Sequence, residues 1–571
     1  MILQALKEYY DRKAADPESN IAPLGWERKE IPYLIVLRED GTFVRIEDTQ
    51  EIIGKRPRAK EFLLPQSVKR SSGIAANLLW DNVEYATGVV CKGTPDRVAA
   101  QHDSFLARLN ELSGCSSVEP VAKFLTSPDF RDQLAADPAW KKAVDGCAFV
   151  TFKIAGQDKP VARAQDVVER IDTLSSGDDS ETRGICLVSG RKEPICGLHA
   201  AIKGVWGANT TGGKIVSFNF PAATSFGKSQ GLNAPVGKRA AFEYATALNV
   251  LLSKDSRQKM TVGDATIVFW SQRQCSLEDE FAELFGEPPK DNPDKGVDAI
   301  ERLLSSVKNG SFAHDGGKTR FYVLGLSPNA TRIAVRFWHK GTVAEMEKRF
   351  ADWFENLRIA HGPNEREHLS LWRLLISIVP LGKSENIPPN LAGAVMRSIL
   401  DGSPYPATML SSTIRRVNAE RDVTYPRAKL LKAFLNHNRN RNLSMSLDKN
   451  NADVGYRLGR LFAMLEKIQQ AANPGINATI RDKFYPSASS TPVAVFGNLI
   501  RLAGHHLAKL DSDKKGLRIW LEKQLEEVMA GIDGFPAHLS LEEQGMFAIG
   551  YYHQRCAKKD DAGAADSTEN L

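Results

Sequence analysis

The chain has 571 residues, of which 42% are hydrophobic and 25% charged, and its formal net charge is +6 at pH 7. At about 100–200 residues per domain, this predicts several globular domains and argues against a chain that is disordered throughout. No apolar run approaches the ~18 residues of a membrane span. Because the seven cysteines are scattered and show no disulfide framework, we expect a cytoplasmic protein without a membrane partner.

The N-terminal part mixes predicted helices and strands. Residues 1–15 have helical spacing, and the hairpin signal Asp40-Gly41 separates the β-rich runs Ile31–Leu37 and Thr42–Ile46. Residues 95–145 favour helices, and a helical insert is expected at Ser276–Gly310. Further strands are predicted at Cys147–Ile154, Ile185–Ser189, Ile215–Phe220, Ala265–Trp270 and Thr331–Trp338.

Strand signals nearly vanish after about residue 340. Helical periodicity marks Leu371–Val379, Tyr456–Gln470, Ala494–Leu510 and Gly516–Ala530, with prolines at the joints. We therefore predict an α+β fold. A mixed body with antiparallel strands and helical inserts covers residues 1–365, an all-α helical bundle covers 366–557, and a disordered tail covers 558–571.

No catalytic motif is complete. Gly207–Gly212 and Gly231–Gly237 contain glycines of a phosphate-binding loop, but neither has the required Lys and hydroxyl in register. The dipeptides His102-Asp103 and His314-Asp315 stand apart, whereas a two-metal site needs several converging ligands. We therefore predict no catalytic residues, no metal and no cofactor, and do not expect an enzyme. A metal-dependent nuclease or another nucleic-acid-processing enzyme is the alternative.

One zinc site stays open. Cys186, Cys196 and His199 span a plausible strand–turn–strand, but only three ligands are visible and the cysteines are far apart in sequence. Structural zinc sites usually show two closely spaced pairs, so small core cysteines with a polar histidine are the favoured explanation of the pattern.

The clearest anomaly is a run of 49 residues, Pro194–Phe242, without Asp or Glu. It holds eight glycines, five basic residues and five large aromatic residues. Phosphate backbones attract Lys and Arg and repel carboxylates, while Asn and Gln read base edges. The alternative is a glycine-rich core segment from which burial excludes acids. The predicted DNA-binding residues here are Lys214, Lys228, Gln230, Asn233 and Lys238.

Two other stretches are basic. Ile52–Arg70 has six basic residues against one acid and runs into a short apolar helix pattern, a context that binds phosphate. Asp401–Ser444 has eight basic residues against three acids, although a solvated helical face would look the same. The predicted DNA-binding residues are Lys69, Arg70, Asn77 and Asn82 in the first region, and Arg415, Arg416, Arg439 and Arg441 in the second.

The sequence resembles the large subunit of the type I-C CRISPR Cascade complex in blocks from residue 1 to about 556. The individual blocks are ordinary, but their number and order make the match specific. They are Met1–Leu6, Arg70–Asn82, Gln230–Val236, Gly263–Trp270, Leu324–Ala330, Val335–Trp338, Leu458–Ala463, Tyr485–Ser489 and Gln544–Arg555.

The resemblance implies a non-catalytic subunit of a guide-RNA complex that also contains backbone and RNA-processing subunits. Such a subunit recognises the protospacer-adjacent motif in double-stranded target DNA, aids strand opening, holds the displaced strand and supports recruitment of a separate helicase-nuclease. The C-terminal part also resembles the small subunit, which this family makes from an internal start. Met445 is the predicted start, because it lies between predicted elements, whereas Met464 would cut a helix. A purely structural scaffold is a further alternative.

Overall fold

The computed structural model describes residues 1–53, 56–68, 70, 73–175, 182–218, 220–287, 295–309, 317–510 and 514–557. The β-strands are β1 Trp26–Glu30, β2 Tyr33–Leu37, β3 Phe43–Asp48, β4 Glu51–Ile53, β5 Arg56–Arg58, β6 Glu61–Pro65, β7 Trp80–Asn82, β8 Phe149–Ile154, β9 Arg183–Ile185, β10 Lys192–Pro194, β11 Lys259–Val262, β12 Ala265–Ser271, β13 Arg320–Asn329 and β14 Arg332–Thr342.

The α-helices begin before the first strand and dominate the chain after β14, which confirms the predicted α+β class. They are α1 Ile2–Ala14, α2 Val83–Thr87, α3 Pro95–Asn110, α4 Glu119–Thr126, α5 Phe130–Ala135, α6 Trp140–Gly146, α7 Gln165–Ser175, α8 Lys238–Leu251, α9 Leu277–Phe285, α10 Lys295–Asn309, α11 Val343–Leu357, α12 Leu371–Ile376, α13 Leu391–Asp401, α14 Ala407–Glu420, α15 Tyr425–Arg439, α16 Val454–Ala472, α17 Ile480–Ser490, α18 Phe496–Ala508, α19 Lys515–Met529 and α20 Leu541–Cys556.

One compact unit contains residues 10–199 and 218–246. Its main sheet has the strand order β3-β2-β8-β7, in which β2 and β8 run parallel and the two outer pairs run antiparallel. Every residue of β2 is buried. A strand covered on both faces reads as a continuous apolar run. Phe105 of α3 and Phe124 of α4 belong to the same hydrophobic core.

The predicted hairpin in this unit is confirmed. Strands β2 and β3 pair antiparallel around Asp40-Gly41. The Asp40 side chain accepts a hydrogen bond from the Thr42 amide at 2.8 Å, and Gly41 has φ +93°. Asp followed by Gly favours such a turn because Gly adopts positive φ without steric cost.

The other compact unit contains residues 1–9, 200–217 and 247–571, of which 558–571 lie outside the described residues. Its sheet has the antiparallel order β11-β12-β13-β14. All of β12 is buried, and Phe269 packs on Phe281 of α9 with ring centroids 4.4 Å apart. One core runs from Met260 to Tyr552, so it continues across the predicted boundary at residue 365. The division into 1–365 and 366–557 therefore does not coincide with the compact units.

The helical part of this unit is built on the close pairing of α16 with α20. A Cβ on Gly459 would overlap the carbonyl oxygen of Phe547 and lie 2.8 Å from the amide nitrogen of Tyr551. A Cβ on Gly550 would overlap the carbonyl oxygen of Tyr456 in the same way. The two backbones thus touch, which only glycine permits at these positions.

Two predicted strands are wrong. Ile185 is the last residue of the short strand β9, and residues 187–189 form a turn instead of continuing it. Residues 215–218 are irregular, while Asn219 lies outside the described residues. β-branched and aromatic residues suggested strands there, but strand preference depends on the pairing partner more than on the residue itself.

Candidate nucleic-acid interface

Arg70 lies beside a buried carboxylate. Its guanidinium pairs with both oxygens of Asp81, whose side chain has 0% exposure, and Nη1 lies 3.1 Å from Oδ1. The guanidinium also lies over the Tyr85 ring, 4.0 Å from its centroid. Because Arg70 is the ion-pair partner of this buried carboxylate, it is engaged within its own unit in this structure.

The two asparagines of this segment also bind their own backbone. The buried Asn77 accepts a hydrogen bond from the Val68 amide at 3.0 Å through Oδ1. Asn82 caps α2 by accepting from the Tyr85 amide at 3.1 Å. Asn77 was predicted to bind DNA, and its buried carboxamide can reach a base edge only if the segment opens. Lys69 and the neighbouring serines at 71 and 72 lie outside the described residues.

The acid-free stretch presents a two-residue turn with an exposed aromatic side chain. The Lys228 amide donates to the Ser225 carbonyl at 2.9 Å, which closes the turn around Phe226 and Gly227. Both central residues have positive φ, +52° and +69°. The Phe226 side chain is 99% exposed. A bulky residue at positive φ is an outlier, and such outliers cluster at functional sites.

The residues that follow this turn form one compact loop. Lys228 and Gln230 are exposed. Asn233 donates from Nδ2 to the Lys228 carbonyl at 3.0 Å, so its amide group fixes the turn. Gly231 is buried, and a Cβ there would overlap the carbonyl oxygen of Cys196. The structure therefore brings the three predicted residues together, with Lys228 and Gln230 facing solvent and Asn233 supporting them.

The other two predicted residues of the stretch lie elsewhere. Lys238 is exposed at the first residue of α8. Lys214 lies in the other unit, where its backbone bridges to the strand β14 and its carbonyl accepts from the Ile333 amide at 3.1 Å. The stretch thus belongs to two units. The turn and the loop after it bring together one cation, Lys228, the amide side chains of Gln230 and Asn233, and the aromatic ring of Phe226.

The C-terminal basic run is largely neutralised within its own unit. Arg416 pairs with Glu420, Arg439 donates to Glu542 at 2.7 Å, and Arg441 lies 3.5 Å from Asp453. Arg415 is exposed on α14. Three of the four arginines predicted to bind DNA thus already have carboxylate partners.

Part of the same run is buried. Lys429 has 1% exposure and donates to the carbonyl oxygens of Glu367 at 2.6 Å and Leu357 at 3.3 Å. Burial lowers the pKa of Lys429 to about 7, because the charged form loses its hydration. Lys432 and Arg427 are buried as well. These three side chains lie in the helical core and do not present charge to a ligand.

The model of one CRISPR-associated protein family, Cas_Csd1, matches residues 6–558. The chain belongs to this family. The resemblance to the type I-C Cascade large subunit is thereby confirmed, and the chain is a CRISPR-associated Cascade subunit that assembles with other Cas subunits. No curated protein matches the sequence. Among the described residues, no helix is long and apolar enough to cross a membrane.

The residues predicted as possible metal ligands in this Cas_Csd1 chain do not lie together. The His102 Nδ1 lies 3.1 Å from the Tyr85 carbonyl, and burial lowers the pKa of this histidine. His314-Asp315 lies outside the described residues. The Cys186 Sγ accepts from the Gly237 amide at 3.1 Å, and the His199 Nδ1 lies 2.6 Å from the Tyr244 hydroxyl. In the part of the chain that the structure describes, none of these side chains belongs to a group with metal-binding spacing.

Composition alone does not distinguish the exposed Phe226 from the other four large aromatic residues of the acid-free stretch. The dipeptide Phe226-Gly227 between Ser and Lys is the one available signal, because a Gly at a turn position permits a tight reversal that leaves its neighbour in solvent.

Proposed function

We propose that this Cascade subunit recognises the protospacer-adjacent motif in double-stranded DNA, and that the turn Ser225–Lys228 contacts the duplex. The observation that carries the proposal is the Phe226 side chain, which is 99% exposed in an acid-free stretch. Apolar side chains inserted between base steps unstack them and begin duplex opening. A stacked aromatic ring contributes about 1–3 kcal/mol per base.

The neighbouring residues fit the same role. Lys228 is placed for a phosphate contact, and the exposed Gln230 amide is suited to a base edge. Asn233 acts by fixing the turn through its bond to the Lys228 carbonyl. Lys69 remains a proposed phosphate contact, whereas Arg70, Asn77 and Asn82 support the fold of their segment.

The test measures target binding and strand opening by the assembled guide-RNA complex. Phe226→Ala should retain initial binding to motif-bearing duplex DNA and reduce strand opening. The fluorescence of a base analogue placed beside the motif reports the opening. Leu381→Ala is a matched control, since Leu381 is an exposed apolar residue that also has positive φ. Unchanged opening by Phe226→Ala, or equal loss in both variants, would contradict the role of the turn.

Binding assays with motif-bearing and motif-free DNA distinguish residues that read bases from residues that contact phosphates. Gln230→Ala should weaken motif-bearing DNA more than motif-free DNA, by about 1–3 kcal/mol if a bidentate contact is lost. Lys228→Ala and Lys69→Ala should weaken both DNAs alike and flatten the salt dependence by about one log unit per decade for each lost contact. Equal losses for the two DNAs in Gln230→Ala would remove the base-reading assignment.

The remaining roles rest on the family. We propose that the chain also holds the displaced strand, supports recruitment of a separate helicase-nuclease, and shares its C-terminal part with a small subunit. A non-catalytic role is part of this proposal. A metal-dependent nuclease is the second candidate, and metal analysis with a cleavage assay on bare DNA separates the two. Salt-independent DNA binding would instead favour a structural scaffold.

A further inference from the structure

Three potential metal ligands meet in the compact unit that contains the main mixed sheet. Glu84 lies on α2, Cys91 lies in the loop that follows it, and Cys147 lies directly after α6. Their ligand atoms, a carboxylate oxygen and two Sγ atoms, all lie within 4.8 Å of one another. Among the described residues this is the one group of His, Cys, Asp or Glu side chains with such spacing.

The carboxylate of this group is held in place by the loop. Oε1 of Glu84 accepts the backbone amides of Cys91 at 3.1 Å and of Lys92 and Gly93 at 2.6 Å each. Burial alone would raise the pKa of Glu84, but these three donors hold it below its usual value. All three bonds go to Oε1, so the second oxygen, Oε2, takes no part in them.

The two thiols are half-buried, which leaves a path for an ion. Burial raises the pKa of Cys91 to about 12, and a hydrogen bond with Cys147 adds to the effect. Because the thiolate is the form that binds a metal, binding at Cys91 requires a cation that displaces the thiol proton. A cation supplies the opposite charge that the pair lacks.

We propose that Glu84, Cys91 and Cys147 bind a thiophilic divalent cation of the zinc class. Two sulfur ligands and one oxygen ligand select zinc over magnesium or calcium. In a tetrahedral site with bonds of about 2.0–2.3 Å, ligand atoms lie about 3.3–3.8 Å apart, so a small inward movement completes the site. Each thiol that binds releases its proton to solvent, no oxidant or reductant takes part, and water fills the fourth position.

The bound ion would tie together α2, the loop after it and the end of α6. Tyr85, on which Arg70 stacks, is the neighbour of Glu84 in α2. The ion would therefore stabilise the segment that carries the Arg70–Asp81 pair. This inference concerns metal binding by the chain itself and does not depend on DNA recognition.

The experiment titrates cadmium into the full-length, reduced and chelator-treated protein, and follows the ultraviolet charge-transfer absorption of cadmium–thiolate bonds. One equivalent should bind, and zinc should compete for it. Cys91→Ser and Cys147→Ser should each weaken binding at least tenfold, and the double variant should abolish the absorption. Cys275→Ser and Cys556→Ser are matched controls, because both are half-buried thiols outside the group, and they should bind like the parent chain.

A second measurement separates metal binding from misfolding. Zinc should raise the thermal midpoint of the parent chain, because a ligand that binds the folded state stabilises it by mass action. The midpoint of the folded double variant should not respond to zinc. The proposal is overturned if the parent chain gives no charge-transfer band, if the band survives in the double variant, or if Cys91 and Cys147 are isolated as a disulfide.

Discussion

Replacing Arg70 with Met tests whether this residue stabilises the chain or contacts DNA. Methionine keeps an unbranched apolar stem and removes the charge, which leaves the Asp81 carboxylate with the backbone amides of Asn77 and Asn82, each at 2.9 Å. Removing one partner of a buried pair costs about 3–5 kcal/mol. Because Arg70 is 27% exposed, the lower end applies, and the lost contact with Tyr85 adds about 0.5–1 kcal/mol. We expect Arg70→Met to lower the free energy of unfolding by about 3.5–4 kcal/mol.

Denaturant unfolding followed by circular dichroism measures this loss. The double variant Arg70→Met/Asp81→Asn should recover only part of the stability, because it removes both charges but replaces one of the two oxygens that accept the amides of Asn77 and Asn82. A double-mutant cycle with both single variants gives the coupling energy. Arg415→Met, at an exposed position, is the control and should change stability by less than about 0.5 kcal/mol. The reasoning is refuted if Arg70→Met unfolds like the parent chain while its assembled complex loses DNA affinity, since Arg70 would then act on the ligand.

Two further predictions concern the helical unit. Gly459→Ala should lower the free energy of unfolding by about 1–3 kcal/mol, because the added Cβ overlaps the backbone of α20. Gly504→Ala on α18 is the control, since its Cβ would meet no atom within 4 Å, and it should stabilise the chain by up to about 1 kcal/mol. Equal unfolding midpoints for the two variants would contradict the close pairing of α16 with α20. Burial raises the pKa of Glu347 to about 8 from 4.5, so the folded chain keeps a proton that the unfolded chain releases, and stability falls as pH rises through this window. Glu347→Gln should remove this pH-dependent loss of stability, which amounts to a few kcal/mol. If the free energies of unfolding of the parent chain and the variant change with pH in the same way, Glu347 titrates normally.

Local sequence signals predicted the parts of the fold that depend on local geometry. The Asp40-Gly41 hairpin and the helix at Val454–Ala472 follow from turn chemistry and periodicity over adjacent residues. The pairing of β1 with β6 was not predicted, because Trp26 and its partner Pro65 are far apart in sequence and neither strand alternates clearly. Strand pairing of this kind is decided by tertiary contacts that a single sequence does not display.

The candidate DNA-binding residues also differ in whether their contacts are with residues near to them or distant from them in sequence. Charge composition drew attention to the acid-free stretch, in which the exposed Phe226 and Lys228 lie. It failed in the C-terminal run, because the partner of Arg439 is Glu542, about a hundred residues away in sequence. It also failed for Lys429, since a lysine is almost never fully buried and composition gives no sign of the exception. A count of basic and acidic residues identifies a charged surface only where the acidic partners of the basic residues are close to them in sequence.

The internal start at Met445 can be tested against this fold. Met445 is 49% exposed and lies between the end of α15 and the start of α16, whereas Met464 is 1% exposed in the middle of α16. A product that begins at Met445 would keep α16 to α20 and the close contact of Gly459 with α20. A product that begins at Met464 would lose the first half of α16, including Gly459.

Such a product would also uncover one face of α20. Gly545 of α20 faces Leu410 of α14 and Leu435 of α15, because a Cβ added at Gly545 would lie 3.5 Å from a methyl carbon of each leucine. Both of these helices precede Met445. We therefore expect the short polypeptide to be stable only when another subunit covers this face, because large exposed apolar patches mark protein contacts. Expression of the intact gene and of its Met445→Leu variant, followed by mass spectrometry of the assembled complex, tests the start. A short species that is absent from the intact gene, or unchanged in the variant, would show that Met445 is not the start, and a Met464→Leu variant that removes it would identify the alternative.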